Sequence, residues 1–426
     1  MSPEPALPRL TSLAGAVWLQ QAETQAVLGA LSAAGHDARI VGGAVRNALL
    51  GEHVTDIDIA TTATPEQVTA AALAAGLGTT PTGLAHGTVT VIADGVPFEV
   101  TTLREDVETF GRHARVAFTA AINADWAADA RRRDFTINAL YCDRDGHVSD
   151  PLGGLDDLAA RRIRFIGDAR ERIREDALRI LRFFRFNAHY GRDVPDRDGL
   201  AACAAERTLL THLSAERVRA ELLKLLAAPG AAPAMAAMFE HGFIVDLLGR
   251  APRIGLLEQL VALDAVARRP ADPLLRLSML AVAVDEDRDY LAARLRLSRA
   301  ERDDLVIVDP RLSGLVALDT AGQHRALYAS GAVRWRRLTM AGAAGAGTDE
   351  ARAAWDKLRE LADRWQVPRF PLGGRDALAL GLKPGPQIGS LLADLEADWI
   401  AGDFAAEPAE LQARLASRAA ALRSNE

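Results

Sequence analysis

Two aspartates, Asp56 and Asp58, stand one residue apart in VTDIDIATT, shortly downstream of Arg46 in VGGAVRNALLG. If this segment is a strand, successive side chains alternate between faces. Asp56 and Asp58 then share one face, and Ile57 and Ile59 take the other. Two carboxylates that close repel each other unless a cation sits between them. A hard ion such as Mg²⁺ takes carboxylate oxygens together with substrate phosphates. A pair of such ions can clamp the attacking and leaving oxygens of a phosphoryl or nucleotidyl transfer. The DxD pattern alone is weak, because an edge strand carrying two solvated acids reads the same way.

The preceding glycines sharpen the reading. Gly42 and Gly43 end a strand, ARIV, and start a helix, AVRNALLG. Backbone N–H groups at such a junction can face a phosphate, and Arg46, one turn in, reaches the same anion. A third acid, Glu99 in PFEVTT, sits on a strand with Phe98 and Val100 on the opposite face. Glycine turn, arginine, paired aspartates and a later strand carboxylate together describe a nucleotidyltransferase palm.

The elements that must position these residues are readable as patterns. DIDIA is a short alternating strand, and PEQVTAAALAAG is a helix opened by Thr64 and Pro65. TVTVIA and PFEVTT are strands joined by the turn Asp94–Gly95. FTINALYCD is expected to be a further strand, and REDVETFGRHARVAF a charged, glycine-containing loop. From about Leu155 onward strand signals stop. Long Ala/Leu/Arg stretches with helical spacing follow, broken at Pro229–Gly230, Pro270–Pro273, Gly342–Gly347 and Pro368–Gly374. No fixed-period repeat is present.

The 426 residues hold about two to four domains' worth of chain. Apolar residues make up 49%, enough for a sizeable core. No apolar run reaches the ~20 residues of a membrane span. MSPEPALPRLTSLAG lacks a basic start followed by an apolar run, so no secretory signal is expected. The only cysteines are Cys142 and Cys203, which argues against a disulfide framework or a zinc site and for a reducing, cytoplasmic setting. The net charge of -7 argues weakly against nucleic acid, yet totals hide patches. Nine arginines against four acids lie between Arg161 and Tyr190. Lysine is nearly absent, at Lys224, Lys357 and Lys383 only; a genomic bias explains that shortage but not the local cluster.

Five segments in one order resemble the class II transfer-RNA nucleotidyltransferase and bacterial poly(A) polymerase family, within the polymerase-beta-like superfamily. GGAVRNALLG with DIDIATTATPEQV resembles its first motif and ARRRDFTINALYCD its ribose-selecting RRD motif. DPLGGLDDLAARRIR resembles its hinge motif, REDALRILRFFRF its EDxxR motif, and LSAERVRAELLKLL the motif that props the neck. The arginine of the first motif is often followed by an acid; here Asn47 stands there and reads as structural. The resemblance implies an α+β fold: a polymerase-beta-like palm over 1–150, a helical neck over 151–226 with the nucleotide-selecting helix, and a helical, transfer-RNA-binding body and tail over 227–426. It implies Mg²⁺ on Asp56 and Asp58, triphosphate at Gly43 and Arg46, and the nucleotide's sugar and phosphate at Arg133 and Asp134. The charge run Arg131–Arg133 would otherwise be an ordinary solvated face; a position between two expected strands argues against that.

Arg174 to Tyr190 reads as one helix, so Asp176 and Arg179 share a face, and Arg182 and Arg185 continue the row. Aspartate accepts from an exocyclic amine and arginine donates to ring acceptors. Cytosine and adenine present that pattern, whereas uracil and guanine would leave Asp176 unpaired. In the family this pair is a protein template for CTP and ATP. An i,i+3 salt bridge explains the helix equally well. Phe183, Phe184 and Phe186 are expected to pack the neck helix, and His86 and His113 stay outside the site. The only adjacent His–Asp, His36–Asp37, lies upstream of the palm aspartates, so no phosphohydrolase domain is expected.

The leading functional expectation is addition or repair of the 3′-terminal CCA of transfer RNA from CTP and ATP. Poly(A) addition is the alternative, and the acid-rich end DLEADWIAGDFAAEPAELQARLASRAAALRSNE counts against it. An enzyme adding only part of the CCA end is a third possibility; LREDVETFGRHARVAF, with Arg104 and Glu105 at its start, has full length and favours complete addition. A catalytically dead RNA-binding protein on this fold is the reading from another class. The helical remainder is expected to grip the acceptor and T-arm end, with Arg334, Arg336 and Arg337 beside Trp335, and Arg369 and Arg375, as candidate contacts. No membrane and no obligate protein partner are expected.

Overall fold

The computed structural model describes residues 12–80, 87–110, 113–118, 125–192, 194–308 and 313–424. They divide into two compact units, Met1–Arg250 and Ala251–Glu426.

The first unit opens with two helices, α1 (Val17–Gln20) and α2 (Ala22–Ala33), and then builds a sheet. Its strands are β1 (Ala38–Val41), β2 (Asp58–Thr61), β3 (Gly78–Thr80), β4 (Thr88–Ala93) and β5 (Val96–Thr102). Two short strands, β8 (Tyr141–Cys142) and β9 (Val148–Ser149), complete it, in the order β3-β4-β5-β2-β1-β8-β9. All neighbours are antiparallel except β2 and β5, which run parallel with Asp58 opposite Glu99. Helix α3 (Gly43–Leu49) follows β1 directly, and α4 (Pro65–Ala74) follows β2. Thr64 caps α4 in a capping box with Gln67, as its sequence signature predicts. Asp94 and Gly95 both take positive φ, 45° and 80°, closing the β4–β5 hairpin where expected. Ile40, Ile59, Val89, Val91, Phe98 and Val100 are buried along the strands.

Three local expectations change. Within the expected loop Arg104–Phe118, the described residues form a second, two-stranded sheet, β6 (Arg104–Phe110) with β7 (His113–Phe118), and residues 111–112 lie outside the described residues. FTINALYCD is not one strand: Thr136–Asn138 forms a 3-10 turn before β8 begins at Tyr141. Arg131–Arg133 therefore lies not between two strands but at the end of α5 (Trp126–Arg131), which Asp125 caps.

The rest of the unit is helical: α6 (Gly154–Ala159), α7 (Ala169–Glu175), α8 (Leu178–Tyr190), α9 (Arg197–Ala205), α10 (Ala215–Ala227), α11 (Ala231–Glu240) and α12 (Phe243–Leu248). The expected helix from Arg174 to Tyr190 is two helices. Asp176 breaks it with φ -151° and ψ 105°, and its Oδ1 accepts from Leu178 N at 3.1 Å. Helix α8 buries Phe183, Phe184 and Phe186 against Phe165, Phe243 and Phe135, so these rings pack the neck as expected.

Among its described residues the second unit is built of helices joined by irregular segments, with no strand. Its helix Ala332–Ala344 runs through Gly342, where a break was expected. A Cβ at Gly342 would stand 2.4 Å from the Trp355 ring, so only glycine lets the two helices approach this closely. Trp335 is fully buried, with its indole N–H donated to Leu358 O at 2.7 Å. It is therefore not a surface companion for its arginine neighbours. Arg336 pairs with Asp363 and Arg337 with Asp272 and Asp304.

Candidate active site

The site grows from the end of the sheet where β1, β2 and β5 present their charged residues. Val41 lies opposite Asp58, and Asp58 opposite Glu99, so the Gly42 turn and two carboxylates meet at one edge. Gly42 holds φ 75° and ψ -118°, a conformation that disfavours any residue with a Cβ, and this turn delivers Gly43 to the start of α3. Asp56 lies just before β2 and not in the strand itself, and is exposed. The Asp58 carboxyl is pushed above the ordinary aspartate range, first by partial desolvation in the cleft, then by Glu99; Arg133 opposes and Asp56 adds to the shift. Apart from Thr55, which donates to Asp56 at 3.2 Å, no hydrogen-bond donor meets these three carboxylates among the described residues. Mutually repelling, undonated oxygens are the donor set a hard divalent cation requires.

Beside this edge lies a cavity of about 550 Å³. It is lined by Gly42, Gly43, Arg46 and Asp58, by Arg133, Asp134 and Asn138, and by Asp176, Leu178, Arg179, Arg182, Phe186 and Arg217. Of the sequence-derived candidates, Gly43, Arg46, Asp58, Arg133, Asp134, Asp176, Arg179 and Arg182 are thus brought together. Asp56, Glu99 and Arg185 do not line the cavity. Asp56 is felt electrostatically at Asp58, and Glu99 is its cross-strand neighbour. Arg185 turns to Glu221 of α10, donating to Oε2 at 2.6 Å, and stacks over Phe186 at 4.5 Å.

Ionic contacts order the cavity wall. Arg133 and Arg132 both meet Asp129, which also accepts from Tyr141 Oη at 2.7 Å. Burial alone would raise Asp129; Arg133 and Arg132 outweigh it and hold it below its ordinary value. Asp134 follows the same logic: burial raises it, and the Arg182 guanidinium at 2.6 Å wins. Asn138 Nδ2 donates to Asp134 Oδ1 at 2.9 Å, while its Oδ1 accepts from Arg46. The turn bearing Asn138 is anchored from below, where Thr136 donates to the fully buried Asp157 at 2.6 Å.

Asp176 and Arg179 do not pair with each other. Asp176 Oδ2 accepts from Arg217 at 2.7 Å, and Arg179 meets Glu175 at 2.5 Å. The break in the helix turns the two side chains away from a shared ion pair while both remain on the cavity wall. The i,i+3 salt bridge that the sequence also allowed is therefore absent. Sequence reasoning passed over Asn138, Arg217 and Tyr190. The signals were present for two of them: Asn138 lies one helical spacing beyond Asp134 in RRDFTIN, and Arg217 sits in the neck-propping segment LSAERVR.

One other group of potential ligands, Asp143, Asp145 and His147, occupies the β8–β9 turn. By the register of β8 on β1 this turn leaves the sheet at the end opposite Gly42. Its Asp143 accepts from the backbone of Asp145 and His147, which explains it as turn structure.

Residues 38–164 match the model of the poly A polymerase head domain, and 196–250 match the probable RNA- and SrmB-binding site of polymerase A. The chain is 36% identical over 390 residues to the mitochondrial CCA tRNA nucleotidyltransferase 1 of Mus musculus, covering 88% of this chain and 86% of that protein. The chain belongs to the class II CCA-adding enzyme and poly(A) polymerase family. The CCA-adding enzyme of Leuconostoc citreum is 33% identical over 380 residues, covering 88% of this chain and 90% of the relative. The structure is similar to that of the Bacillus stearothermophilus CCA-adding enzyme in complex with CTP, with a TM-score of 0.69 and 29% identity over 95% of this chain and 98% of the other. Enzymes of this family generally use a divalent metal ion, and the carboxylates of Asp56, Asp58 and Glu99 have the chemistry to hold one. Among the described residues no helix is long and apolar enough to cross a membrane.

Proposed function

We propose that this chain completes the 3′ end of transfer RNA, adding C, C and A from CTP and ATP without a nucleic-acid template and releasing pyrophosphate. The observation that carries this reading is the cavity that Asp58, the Gly42–Gly43 turn with the buried Arg46, and Asp176 with Arg179 all line. Each of these matches one part of a nucleoside triphosphate.

In this reading Asp56 and Asp58 hold Mg²⁺, with Glu99 completing the carboxylate set. The ions, when bound, supply charge stabilisation to the phosphate under transfer. The bond that forms joins the RNA 3′ oxygen to the α-phosphorus; the bond that breaks releases the β- and γ-phosphates. Gly43 offers its backbone N–H and Arg46 its guanidinium to those leaving phosphates. Arg133 and Asp134 receive the sugar and its phosphate, and Asp134 is the acceptor for a 2′-hydroxyl. Asp176 accepts from the exocyclic amine of cytosine or adenine, and Arg179 donates to the neighbouring ring acceptor. Arg182 steadies Asp134, and Arg185, tied to Glu221, steadies the helix that carries the row.

The division of labour we infer follows the head at 1–150, the neck at 151–226 and the body and tail at 227–426, the last gripping the acceptor and T-arm end through phosphate contacts. Exposed Arg369 and Arg375 remain the candidate contacts there. A reducing, cytoplasmic setting fits the buried, unbridged Cys142 and Cys203.

The test is a product analysis on transfer RNA lacking its last three nucleotides, offered CTP, ATP and both. The expected products are two added C residues with CTP alone and a complete CCA end with both. An A-tract from ATP alone marks a poly(A) polymerase. Extension that halts after CC marks a partial enzyme.

A further inference from the structure

Asp129 is buried, and both of its carboxylate oxygens are engaged. Oδ1 accepts from Arg132 Nε at 2.7 Å and lies 2.5 Å from Arg132 Nη2. Oδ2 accepts from Arg133 Nη2 at 3.0 Å, from Arg133 Nε at 3.3 Å and from Tyr141 Oη at 2.7 Å. Arg133 Nε also donates to Tyr141 Oη at 3.3 Å. Arg133, Asp129 and Tyr141 thus close a triangle of contacts, which holds the Nε and Nη2 of Arg133. Its Nη1 has no hydrogen-bond partner among the described residues. That nitrogen stands 3.8 Å from the point a Cβ on Gly42 would occupy, and Arg133 lines the cavity beside Gly42 and Asp58.

The sheet fixes the third corner of the triangle. Tyr141 lies opposite Val41, Val41 opposite Asp58, and Asp58 opposite Glu99. Residues directly opposed on neighbouring strands point to the same face, so Tyr141 shares one row of one face with two of the site's carboxylates. Its ring is fully buried and meets the Trp126 ring edge-on at 5.2 Å. Burial pushes the phenol up, Arg133 opposes and Asp129 adds to the shift, so Oη keeps its proton and donates it to Asp129. An arginine carries about 2 kcal/mol of rotamer entropy. A guanidinium already held by two of its nitrogens loses less of that freedom when a ligand arrives.

We propose that Tyr141 is a positioning residue for nucleotide binding: through Asp129 it ties Arg133 to the sheet row that carries Asp58 and Glu99, and so aims Nη1 at the nucleotide's phosphate. This rests on the reading of the cavity as a nucleotide site and deepens it. Part of the affinity is assigned to a buried hydroxyl that does not line the cavity.

The experiment uses Tyr141→Phe in the full chain. The variant keeps the ring, its contact with Trp126 and its distance of 5.5 Å from the Arg133 guanidinium carbon, and loses only Oη. Binding of CTP with Mg²⁺ is measured by titration calorimetry without RNA, with Tm recorded. Affinity is expected to fall about fivefold, a fraction of what one hydrogen bond to a charged group contributes, and the KM for CTP to rise in parallel. The same change is then made in an Arg133→Gln background. A hydroxyl that acts through Arg133 has nothing further to lose there, so the double variant should bind CTP no more weakly than Arg133→Gln alone. Losses that multiply, or that merely track Tm, indicate a structural hydroxyl and overturn the proposal. Should Arg133→Gln not fold, Arg133→Lys serves as the background, because lysine keeps the charge but cannot hold Asp129 through two nitrogens. Wild-type protein that binds no CTP sinks the nucleotide reading itself. Wild-type protein that binds CTP only as tightly as Tyr141→Phe sinks the proposal alone.

Discussion

Asp176→Asn separates base selection from structure more sharply than any other change. Asp176 does two structural jobs: its Oδ1 accepts from Leu178 N at the start of α8, and its Oδ2 accepts from Arg217. Asparagine keeps an amide oxygen that can accept from Leu178 N. The ion pair is about a third exposed on both sides, at 36% and 32%. Solvent screening therefore limits its contribution to about 0–1 kcal/mol. A structural role thus predicts a small fall in Tm and losses shared by all nucleotides, which cancel in a ratio. A template role predicts something else. The amide offers a donor where the carboxylate had only acceptors, so a carbonyl edge is no longer penalised. Discrimination against UTP should shrink by about 1–3 kcal/mol, the scale of one good base-edge contact. The assay is the ratio of kcat/KM for CTP and UTP on transfer RNA ending at the discriminator base, well below Tm. Asp176→Ala, which also loses the bond from Leu178 N, should shift the ratio in the same direction with a larger fall in Tm. An unchanged ratio with reduced activity refutes the template reading.

Asp56→Ala and Asp58→Asn should abolish nucleotide addition while binding of transfer RNA, followed by gel shift, persists; near-normal turnover in Mg²⁺ would contradict the assignment. Deleting Glu105–Gly111 from the β6–β7 hairpin should spare both C additions and impair the A addition, because a larger base requires the site to reshape; equal loss at all three steps counts against this. Asp129→Asn should destabilise the fold by about 3 kcal/mol, the cost of breaking a buried ionic contact. The sign follows from a folded pKa held below its ordinary value: the stabilisation is present above the unfolded pKa, near 3.9, and fades as pH falls through the folded value. The Tm gap between wild type and variant should therefore be widest near neutrality and close in acid.

Local chemistry decided much of the head before any folding partner was considered. The Thr64–Pro65 start of α4, the Asp94–Gly95 turn, the strand alternation around Glu99 and the β1–Gly42–α3 junction are all written within a few residues of where they act. The five ordered motifs carried the family in the same way. Helical periodicity runs unbroken from Arg174 to Tyr190, however, and outweighs the one local signal of a break, an aspartate at 176 that can accept from Leu178 N. That break is bound up with Arg217 on α10, a partner distant in sequence. Arg104–Phe118 reads as loop because its pairing is satisfied only once the two strands meet. The parallel register that sets Asp58 against Glu99, the Tyr190 ring under Arg46, and the choice of Asp134 as the partner of Arg182 are likewise long-range outcomes. Sequence spacing determines which residues a helix or strand presents together; which charge each of them meets is decided only when separate elements pack, because ion pairing depends on distances that no local pattern encodes.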